Sequence, residues 1–476
     1  MAPDRSLVER LARHGQDSLL RWWDDLGPAA QAALVSEINS IDLDQVDTLI
    51  AQMVKADQPA SIPPEQVEPI EVFRLPKTDG ERVARRHVAE IGDNALAAGE
   101  VGVVIVAGGS GTRLGFEGPK GTYAIGSVSG ASLFQIHAEK IVAMGRRHGK
   151  PLPLYIMTSP ENHEATARFF AEHDNFGLDH VRFFVQGQLP AVDQTTGQIL
   201  LAAKGHLALS PDGHGGTLTA LAARPADGSP SCLDELRERG IRTLFYFQVD
   251  NPLVQIADPA FLGLHREADA ELSFKVIEKL APDEKVGVVV RVDGHPQVIE
   301  YSDLPTELAE RREPDGSLAL WAGSIAVHIL EREFIERLVV DGGLQLPFHR
   351  AIKKVSFIDD SGKLVQPETP NAVKFERFIF DALPQARRWT LVETDRAVEF
   401  EPLKNATGPD SPATVRQRMS DLFAGWLESS GVRVPRRNDG SVPFGIEVSP
   451  LFALDAEELK SKVSPGLVID GPLYLR

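Results

Sequence analysis

The alternation of short apolar runs with helical periodicity, which begins at residue 101, is the feature that most constrains the fold. The predicted strands are 101–106, 152–158, 181–186, 243–249 and 271–277. Several of them are apolar at consecutive positions, as is typical of strands covered on both faces. The predicted helices between them are 132–148, 161–173 and 258–267. This alternation predicts an α/β fold with a largely parallel sheet.

Other stretches predict additions to this sheet. Residues 286–292 and 297–301 flank the turn signal Asp293-Gly294, which predicts an antiparallel hairpin and hence a mixed sheet. We divide the 476 residues into a helical N-terminal region with a linker (1–100), a catalytic domain (101–395) and a small β-rich C-terminal domain (396–476). The linker is assigned to the proline-containing stretch 58–68.

Charge and cysteine usage exclude several classes of protein. The formal net charge of -18 predicts repulsion from nucleic acid and from anionic membranes. Cys232 is the single cysteine, so an internal disulfide is excluded and a reducing, cytoplasmic setting is expected. The charged N-terminus resembles no secretory signal, and no apolar run approaches the roughly 20 residues that a membrane span needs.

The strongest chemical signal is a glycine-rich turn directly after the first predicted strand of the sheet. The stretch 104–115 reads Val-Ile-Val-Ala-Gly-Gly-Ser-Gly-Thr-Arg-Leu-Gly and is followed by Pro119-Lys120. Glycines allow backbone N–H groups to approach an anion closely, and Arg113 and Lys120 add two cations. Because a nucleoside triphosphate needs its charge offset before a nucleophile approaches, this pattern favours a nucleotide site.

Two other glycine-loop motifs fit less well. No Gly-Lys-Ser/Thr closes the turn, so it is not a Walker A loop. In a dinucleotide-binding dehydrogenase the third glycine would follow Gly111 by three residues, whereas here Gly115 follows by four. No convincing acidic partner for a ribose lies about 20 residues further on, since Glu139 falls within a helical pattern. A tight strand-to-helix turn that binds no ligand remains the alternative interpretation.

At this point the sequence resembles the UTP-dependent sugar-1-phosphate uridylyltransferases, and among them the UDP-N-acetylhexosamine pyrophosphorylases most closely. The resemblance rests on the glycine-rich turn and on further stretches in the family's order. These stretches are 184–190, 211–216, 249–253, 287–293, 298–302, 374–381, 402–405 and 447–451. The resemblance implies a Rossmann-like nucleotide-diphospho-sugar transferase domain. It also implies joining of UTP to a sugar 1-phosphate, with N-acetylglucosamine 1-phosphate as the preferred substrate, to give a UDP-sugar and pyrophosphate.

The resemblance also implies roles for individual residues. Arg113, Lys120 and Lys404 would be the catalytic cations. Asp250, which follows a predicted strand, would hold Mg²⁺, with Mn²⁺ as the alternative. The nucleotide would contact Ala107, Gly108, Gly109, Gly111, Thr112, Gln186 and Gly213. The Gln186 amide can satisfy uracil N3–H and a carbonyl. Without the family resemblance, an edge-strand Gln that hydrogen-bonds to the backbone would be an equally good interpretation.

The sugar-side assignments leave the substrate open. The resemblance places His214, Gly287, Glu300, Ser324 and Phe380 near the sugar. The hexosamine branch usually has Asn at the positions of His214 and Ser324. His214 lies in the second glycine loop, residues 211–216, and a His in this loop resembles the UDP-glucose pyrophosphorylases instead. UDP-glucose synthesis is therefore the alternative reaction, and a nucleotide-sugar sensor without catalysis is a more distant one.

Overall fold

The computed structural model describes residues 2–56, 63–340, 343–344, 346–464 and 466–476. The chain forms two compact units. The first unit comprises Met1–Ser61, Gln186–Gly216 and Gln345–Asp381, and the second comprises Ile62–Val185, Thr217–Leu344 and Ala382–Arg476. The division into two units does not test the domain boundaries predicted at residues 100 and 395. These boundaries stay a prediction. The predicted linker 58–68 lies partly outside the described residues.

The helices occur throughout the described chain. They are α1 (Arg5–Arg13), α2 (Pro28–Asn39), α3 (Leu43–Leu49), α4 (Asp79–Ala98), α5 (Leu133–His148), α6 (His163–Glu172), α7 (Thr217–Ala222), α8 (Cys232–Glu238), α9 (Pro259–Glu267), α10 (Thr306–Ala309), α11 (Arg332–Leu338), α12 (Arg396–Glu399), α13 (Pro412–Ser429) and α14 (Ala456–Lys462). No helix in the described residues combines the length and the apolar character that a membrane crossing needs.

The strands are short outside the central sheet. They are β1 (Val67–Glu68), β2 (Val101–Val106), β3 (Leu154–Thr158), β4 (Val181–Val185), β5 (Gln188–Pro190), β6 (Val192–Asp193), β7 (Leu201–Ala203), β8 (His206–Leu207), β9 (Leu209–Pro211), β10 (Thr243–Gln248), β11 (Leu272–Glu278), β12 (Val288–Val292), β13 (His295–Ile299), β14 (Ala322–Glu331), β15 (Val339–Val340), β16 (Gly343–Leu344), β17 (His349–Lys353), β18 (Phe357–Ile358), β19 (Leu364–Val365), β20 (Ala372–Glu376), β21 (Trp389–Glu393), β22 (Ile446–Val448) and β23 (Leu473–Leu475).

A ten-stranded mixed sheet forms the centre of the second unit. Its main path runs β1-β12-β14-β10-β2-β3-β4, while β13 pairs with β12 and β11 joins β14 to β21. The neighbours β10, β2, β3 and β4 are parallel, and β14 is antiparallel to both β10 and β11. The predicted α/β class and mixed sheet are confirmed. The prediction of a largely parallel sheet is wrong, because β1, β12, β13 and β14 pair antiparallel with their neighbours. The predicted hairpin is present as β12 and β13, with Asp293 and Gly294 at positive φ in its turn.

Helix caps and close packing explain why the covering helices form where they do. The Ser132 side chain caps α5 by accepting from the Gln135 amide at 3.1 Å. Asp258 caps α9, and Pro259 occupies its first turn. Helices α4 and α9 pack backbone to backbone, since a Cβ added at Gly92 would overlap the Pro259 carbonyl. The predicted capped helices in this region are therefore present.

The C-terminal part of the second unit has its own small apolar core. Helix α13 packs against the parallel pair β22 and β23 and against α14. Leu427, Ile446, Val448 and Leu459 are buried in this core. The small strand-containing C-terminal element that the sequence predicted is thus present, although it contains two helices as well.

The first unit gives the N-terminal helices a structural role that the sequence did not predict. Leu11 and Leu34 are buried in one apolar core with Val192 and Phe375. Strands β17, β20 and β6 form an antiparallel sheet in this unit. The helical region is therefore part of the framework that carries residues 186–216 and 345–381.

Candidate active site

The glycine-rich turn leaves the sheet at the carboxyl end of β2 and folds back on itself. The Ala107 amide still donates to the Met157 carbonyl at 2.8 Å, as part of the sheet edge. The Gly111 amide then donates to the Gly118 carbonyl at 2.9 Å, and the Lys120 amide donates to the Gly109 carbonyl at 3.1 Å. Gly108 lies between the sheet edge and this closed loop. Gly108, Gly109 and Gly111, three of the glycines that the sequence predicted to bind the nucleotide, are thus gathered in one turn.

Part of this turn is free to bind a ligand. The amides of Gly109 and Ser110 donate to no acceptor among the described residues. A side chain at Gly111 would come within 2.6 Å of the Phe116 ring, so glycine is required there. Thr112 and Arg113 are exposed, and Arg113 forms no ion pair with the described residues. The turn therefore offers amide donors and a free guanidinium, which together suit an anion.

Lys120 and Asp250 form an ion pair. Lys120 Nζ lies 3.0 Å from Asp250 Oδ2, and the two side chains are 16% and 14% exposed. Asp250 follows β10 at the same edge of the sheet, and its backbone carbonyl accepts from the Leu403 amide at 2.8 Å. Lys404, the next residue, is half-buried and forms no ion pair with the described residues. We refer to Arg113, Lys120, Asp250 and Lys404 as the charged set.

Two side chains of α5 hold the segment that carries Asp250. His137 Nε2 lies 3.0 Å from the Val249 carbonyl, and Lys140 Nζ donates to the carbonyls of Pro252 and Val254 at 2.5 and 2.8 Å. Burial lowers the pKa of His137 to about 3 and that of Lys140 to about 7. His137 is therefore neutral at physiological pH, and it donates its Nε2–H to the carbonyl.

The geometry of Asp250 is compatible with Mg²⁺. In the part of the chain that the structure describes, no group of three or more His, Cys, Asp or Glu side chains could hold a metal ion. Mg²⁺ sites on phosphate substrates commonly use one or two carboxylates, with the phosphates and water as further ligands. Asp250 offers one such carboxylate, which is partly exposed and lies beside the Lys120 ammonium group.

Three of the predicted sugar-side residues of the second unit lie together. The Ser324 amide donates to the Gly287 carbonyl at 2.9 Å. A Cβ at Gly287 would lie 3.0 Å from Glu300 Oε1, so the Glu300 carboxylate lies directly over this glycine. The hairpin β12–β13 thus brings Gly287 and Glu300 to the start of β14, where Ser324 lies.

The first unit holds the predicted base-side residues. Gln186 Nε2 donates to the Gly213 carbonyl at 2.8 Å, and Gln186 is 7% exposed. Gly213 has φ +86°, and a Cβ there would overlap the Arg377 backbone. Asp212 is also 7% exposed. Burial raises the pKa of Asp212 to about 6, and the neighbouring Gln186 side chain partly opposes this shift. A direct hydrogen bond therefore connects Gln186 to the second glycine loop.

Next to this loop, four rings form a group that we call the aromatic cluster: His214, His349, Phe378 and Phe380. The His214 ring centroid lies 5.3 Å from that of Phe378 and 5.7 Å from that of Phe380. His214 Nδ1 accepts from the Ile379 amide at 3.3 Å. Burial, and then the neighbouring His349, lower the pKa of His214 to about 4. His214 is thus a neutral ring with its proton on Nε2.

Comparison with known proteins assigns the chain to a family. A family model described as UTP–glucose-1-phosphate uridylyltransferase, abbreviated UDPGP, matches residues 44–426. The chain belongs to the UDPGP family. This UDPGP protein is an enzyme of the UTP:sugar-1-phosphate uridylyltransferase type, a nucleotidyltransferase of UDP-sugar synthesis.

Relatives of this UDPGP protein match it along nearly its full length. It is 36% identical to the human UDP-N-acetylhexosamine pyrophosphorylase-like protein 1, over 100% of this chain and 97% of that protein. It is 35% identical to the UDP-N-acetylglucosamine pyrophosphorylase of Saccharomyces cerevisiae, over 96% and 98% of the two chains. The solved UDP-N-acetylglucosamine pyrophosphorylase of Trypanosoma brucei superposes with a TM-score of 0.81 at 27% identity, covering 100% of this chain and 99% of that one.

Several residues of the candidate site in this UDPGP protein escaped the sequence analysis. His137 and Lys140 are three residues apart on α5, so their shared face was predictable but their acceptors were not. Asn162 donates to the Ala107 carbonyl at 2.8 Å and so supports the glycine-rich turn. Asp212 lies in the stretch 211–216, which carries part of the family resemblance, but the sequence did not show that its side chain is buried.

Proposed function

We propose that this enzyme condenses UTP with N-acetylglucosamine 1-phosphate to give UDP-N-acetylglucosamine and pyrophosphate. The observation that carries the proposal is the pairing of Lys120 with Asp250 at 3.0 Å, beside a glycine turn with free amides. Relatives named UDP-N-acetylglucosamine diphosphorylase 2 and UDP-N-acetylglucosamine pyrophosphorylase match at 36% and 35% identity over nearly the whole chain, and they supply the choice of sugar.

The proposed reaction is a single in-line displacement. An oxygen of the sugar 1-phosphate attacks the α-phosphorus of UTP, a new P–O bond forms, and the bond to the β-phosphate oxygen breaks. The electron pair leaves with pyrophosphate, and no covalent enzyme intermediate is required. Since the attacking phosphate is already ionised at neutral pH, no general base is needed. His214, with its pKa lowered to about 4, is accordingly assigned to the wall of the sugar site.

The charged set would align the reactants and offset their charge. Arg113 and Lys120 would bind the departing pyrophosphate, and Lys404 would reduce the repulsion between the incoming phosphate and the α-phosphate. Asp250 would hold the metal, for which Mg²⁺ is proposed and Mn²⁺ is the alternative. When bound, the divalent ion supplies positive charge against the phosphate oxygens. The Lys120–Asp250 pair suggests that Lys120 and the metal share the same phosphates.

Binding roles for the remaining predicted residues follow the two units. Ala107, Gly108, Gly109, Gly111 and Thr112 would contact the nucleotide from the glycine-rich turn. Gln186 and Gly213 would contact the uracil. Gly287, Glu300 and Ser324 would contact sugar hydroxyls, while His214 and Phe380 would present ring surfaces to the sugar's N-acetyl group. Such apolar surfaces suit a methyl group better than a hydroxyl.

UDP-glucose synthesis is the second candidate, and a specific observation favours it. His214 stands where the hexosamine branch usually has Asn, and it is packed against Phe378 and Phe380. If these rings fill the space of an N-acetyl group, glucose 1-phosphate becomes the substrate. We further propose a cytoplasmic reaction, because the single thiol of the chain, Cys232, is buried and free.

The test is pyrophosphate release from UTP and Mg²⁺ with four sugar 1-phosphates: N-acetylglucosamine, N-acetylgalactosamine, glucose and galactose. Highest kcat/KM with N-acetylglucosamine 1-phosphate is the expected result. Highest kcat/KM with glucose 1-phosphate would establish the second candidate. If no sugar releases pyrophosphate while UTP still binds, the proposal is wrong, and a nucleotide-sugar sensor or a sugar 1-phosphate outside this panel takes its place.

A further inference from the structure

The amide of Gln186 is held in one orientation by two acceptors. Its Nε2 donates to the Gly213 carbonyl at 2.8 Å. The same side chain neighbours the Asp212 carboxylate and lowers the pKa of that group. Neither acceptor can donate a proton while Asp212 is ionised. A flipped amide would therefore direct Gln186 Oε1 at two oxygens, which repel it. Gln186 Oε1 consequently faces away from both acceptors, and it accepts no hydrogen bond from the described residues.

The position of Asp212 depends on two glycines. A Cβ at Gly187 would lie 2.8 Å from Asp212 Oδ2, and a Cβ at Gly216 would overlap Asp212 Oδ1. Asp212 Oδ1 is buried and has no hydrogen-bond partner in the described chain. An unsatisfied buried carboxylate oxygen is costly for stability. The presence of this carboxylate beside Gln186 therefore points to a role beyond folding.

We infer that Asp212 sets base selectivity, by fixing the Gln186 amide so that its Oε1 alone faces the base. This inference rests on the proposed use of UTP. Uracil carries a hydrogen on N3 and can donate it to Oε1. Cytosine has an unprotonated N3 at neutral pH, so two acceptors would face each other and the hydrogen bond is lost. Asp212 acts through Gln186 and is thus a positioning residue for discrimination between UTP and CTP.

The direct test is the Asp212→Asn variant. Because the Asn amide can donate as well as accept, it removes one of the two acceptors that oppose a flip of the Gln186 amide. Only the Gly213 carbonyl then opposes the orientation that presents Nε2 to the base. We expect the ratio of UTP to CTP affinity, measured by titration calorimetry, to fall about 10- to 100-fold, the range for leaving one buried hydrogen-bonding group unpaired. The matched control is Asp193→Asn, since Asp193 lies in the same unit and accepts from Thr195 and Thr196. Its ratio should stay at the wild-type value.

A second measurement uses the wild-type protein and covers the case in which Asp212→Asn does not fold. Burial raises the pKa of Asp212 to about 6, opposed by Arg377, the charged group that faces it. Below this value the protonated carboxyl can donate to Gln186 Oε1 and permit the flip. The wild-type UTP-to-CTP ratio should therefore be lower at about pH 5.5 than at about pH 8, and a folded Asp212→Asn protein should show a ratio without this change.

The outcomes separate this inference from the proposed function. Wild-type protein that binds UTP no better than CTP would contradict both. Wild-type preference for UTP that persists in a folded Asp212→Asn variant, or that is the same at both pH values, would overturn the role of Asp212 alone. Pyrophosphate release by the same samples reports on the proposed reaction independently of base selectivity.

Discussion

The charged set of the second unit consists of charged side chains, whereas the aromatic cluster of the first unit consists of neutral phenylalanine rings and histidines, including the neutral His214. In the charged set, Arg113 is exposed, and Lys120 and Asp250 neutralise each other at 3.0 Å. In the aromatic cluster, burial lowers the pKa of His214 to about 4, so the ring stays neutral. In the roles proposed for them, the two sets call for opposite environments. Cations near water can meet a highly charged triphosphate, whereas neutral rings suit the selection of a sugar.

The largest expected effect concerns the charged set. Lys120→Ala should lower turnover at saturating UTP by about 10²–10³, because it removes a preorganised cation from the departing pyrophosphate. The measurement is steady-state pyrophosphate release. Lys204→Ala is the control, since Lys204 pairs with Asp25 on an exposed surface, and it should leave turnover unchanged. Near-normal turnover in Lys120→Ala would remove Lys120 from the catalytic residues.

The next effect tests whether the charged set depends on its support from α5. Lys140→Met removes the donor to the Pro252 and Val254 carbonyls and should raise the Mg²⁺ concentration for half-maximal activity about 10- to 100-fold. Lys140→Arg should restore much of the metal affinity, because its guanidinium can also donate to both carbonyls. Lys150→Met, at an exposed position two residues after α5, is the control. A change in thermal stability without a change in Mg²⁺ dependence would reduce Lys140 to a structural residue.

A smaller effect is expected in the aromatic cluster. Phe380→Ala should lower the kcat/KM ratio of N-acetylglucosamine 1-phosphate to glucose 1-phosphate by about tenfold, since an apolar wall beside the N-acetyl methyl is lost. Phe357→Ala, a half-buried ring elsewhere in the first unit, should leave the ratio unchanged. Equal decreases in kcat/KM with both sugars would show that Phe380 supports the fold without recognising the N-acetyl group.

The smallest effect concerns stability in acid. The pKa of His214 is about 4 in the folded protein and 6.5 in the reference state, so the unfolded chain binds more protons between these values. The wild-type free energy of unfolding should therefore fall as the pH decreases from 6.5 to 4. His214→Gln should make this decrease shallower in urea titrations, whereas His87→Gln, on an exposed position of α4, should match the wild type. Identical pH slopes in all three proteins would contradict a neutral, partly buried His214.

The parts of the site that could be predicted from the sequence are those with local signals. Glycines followed by Arg113 and Lys120 stand in one continuous stretch, and Asp250 directly follows an apolar strand. The residues that the sequence missed act over long separations. Lys140 and Val254 are 114 positions apart, and Asn162 and Ala107 are 55 apart. Neither pair carries a pattern in the chain itself, because the partners in both cases are backbone carbonyls.

The amino-acid sequence by itself determined the α/β class, the capped helices, the hairpin at Asp293-Gly294 and the family. Periodicity, caps and turns are local, and the family motifs are continuous stretches. The tertiary structure alone decided that the N-terminal helices share a core with Val192 and Phe375, and that Lys120 pairs with Asp250. It also decided the protonation of His214 and the orientation of the Gln186 amide. Burial and hydrogen-bond partners determine these properties, and both arise only when distant segments pack together.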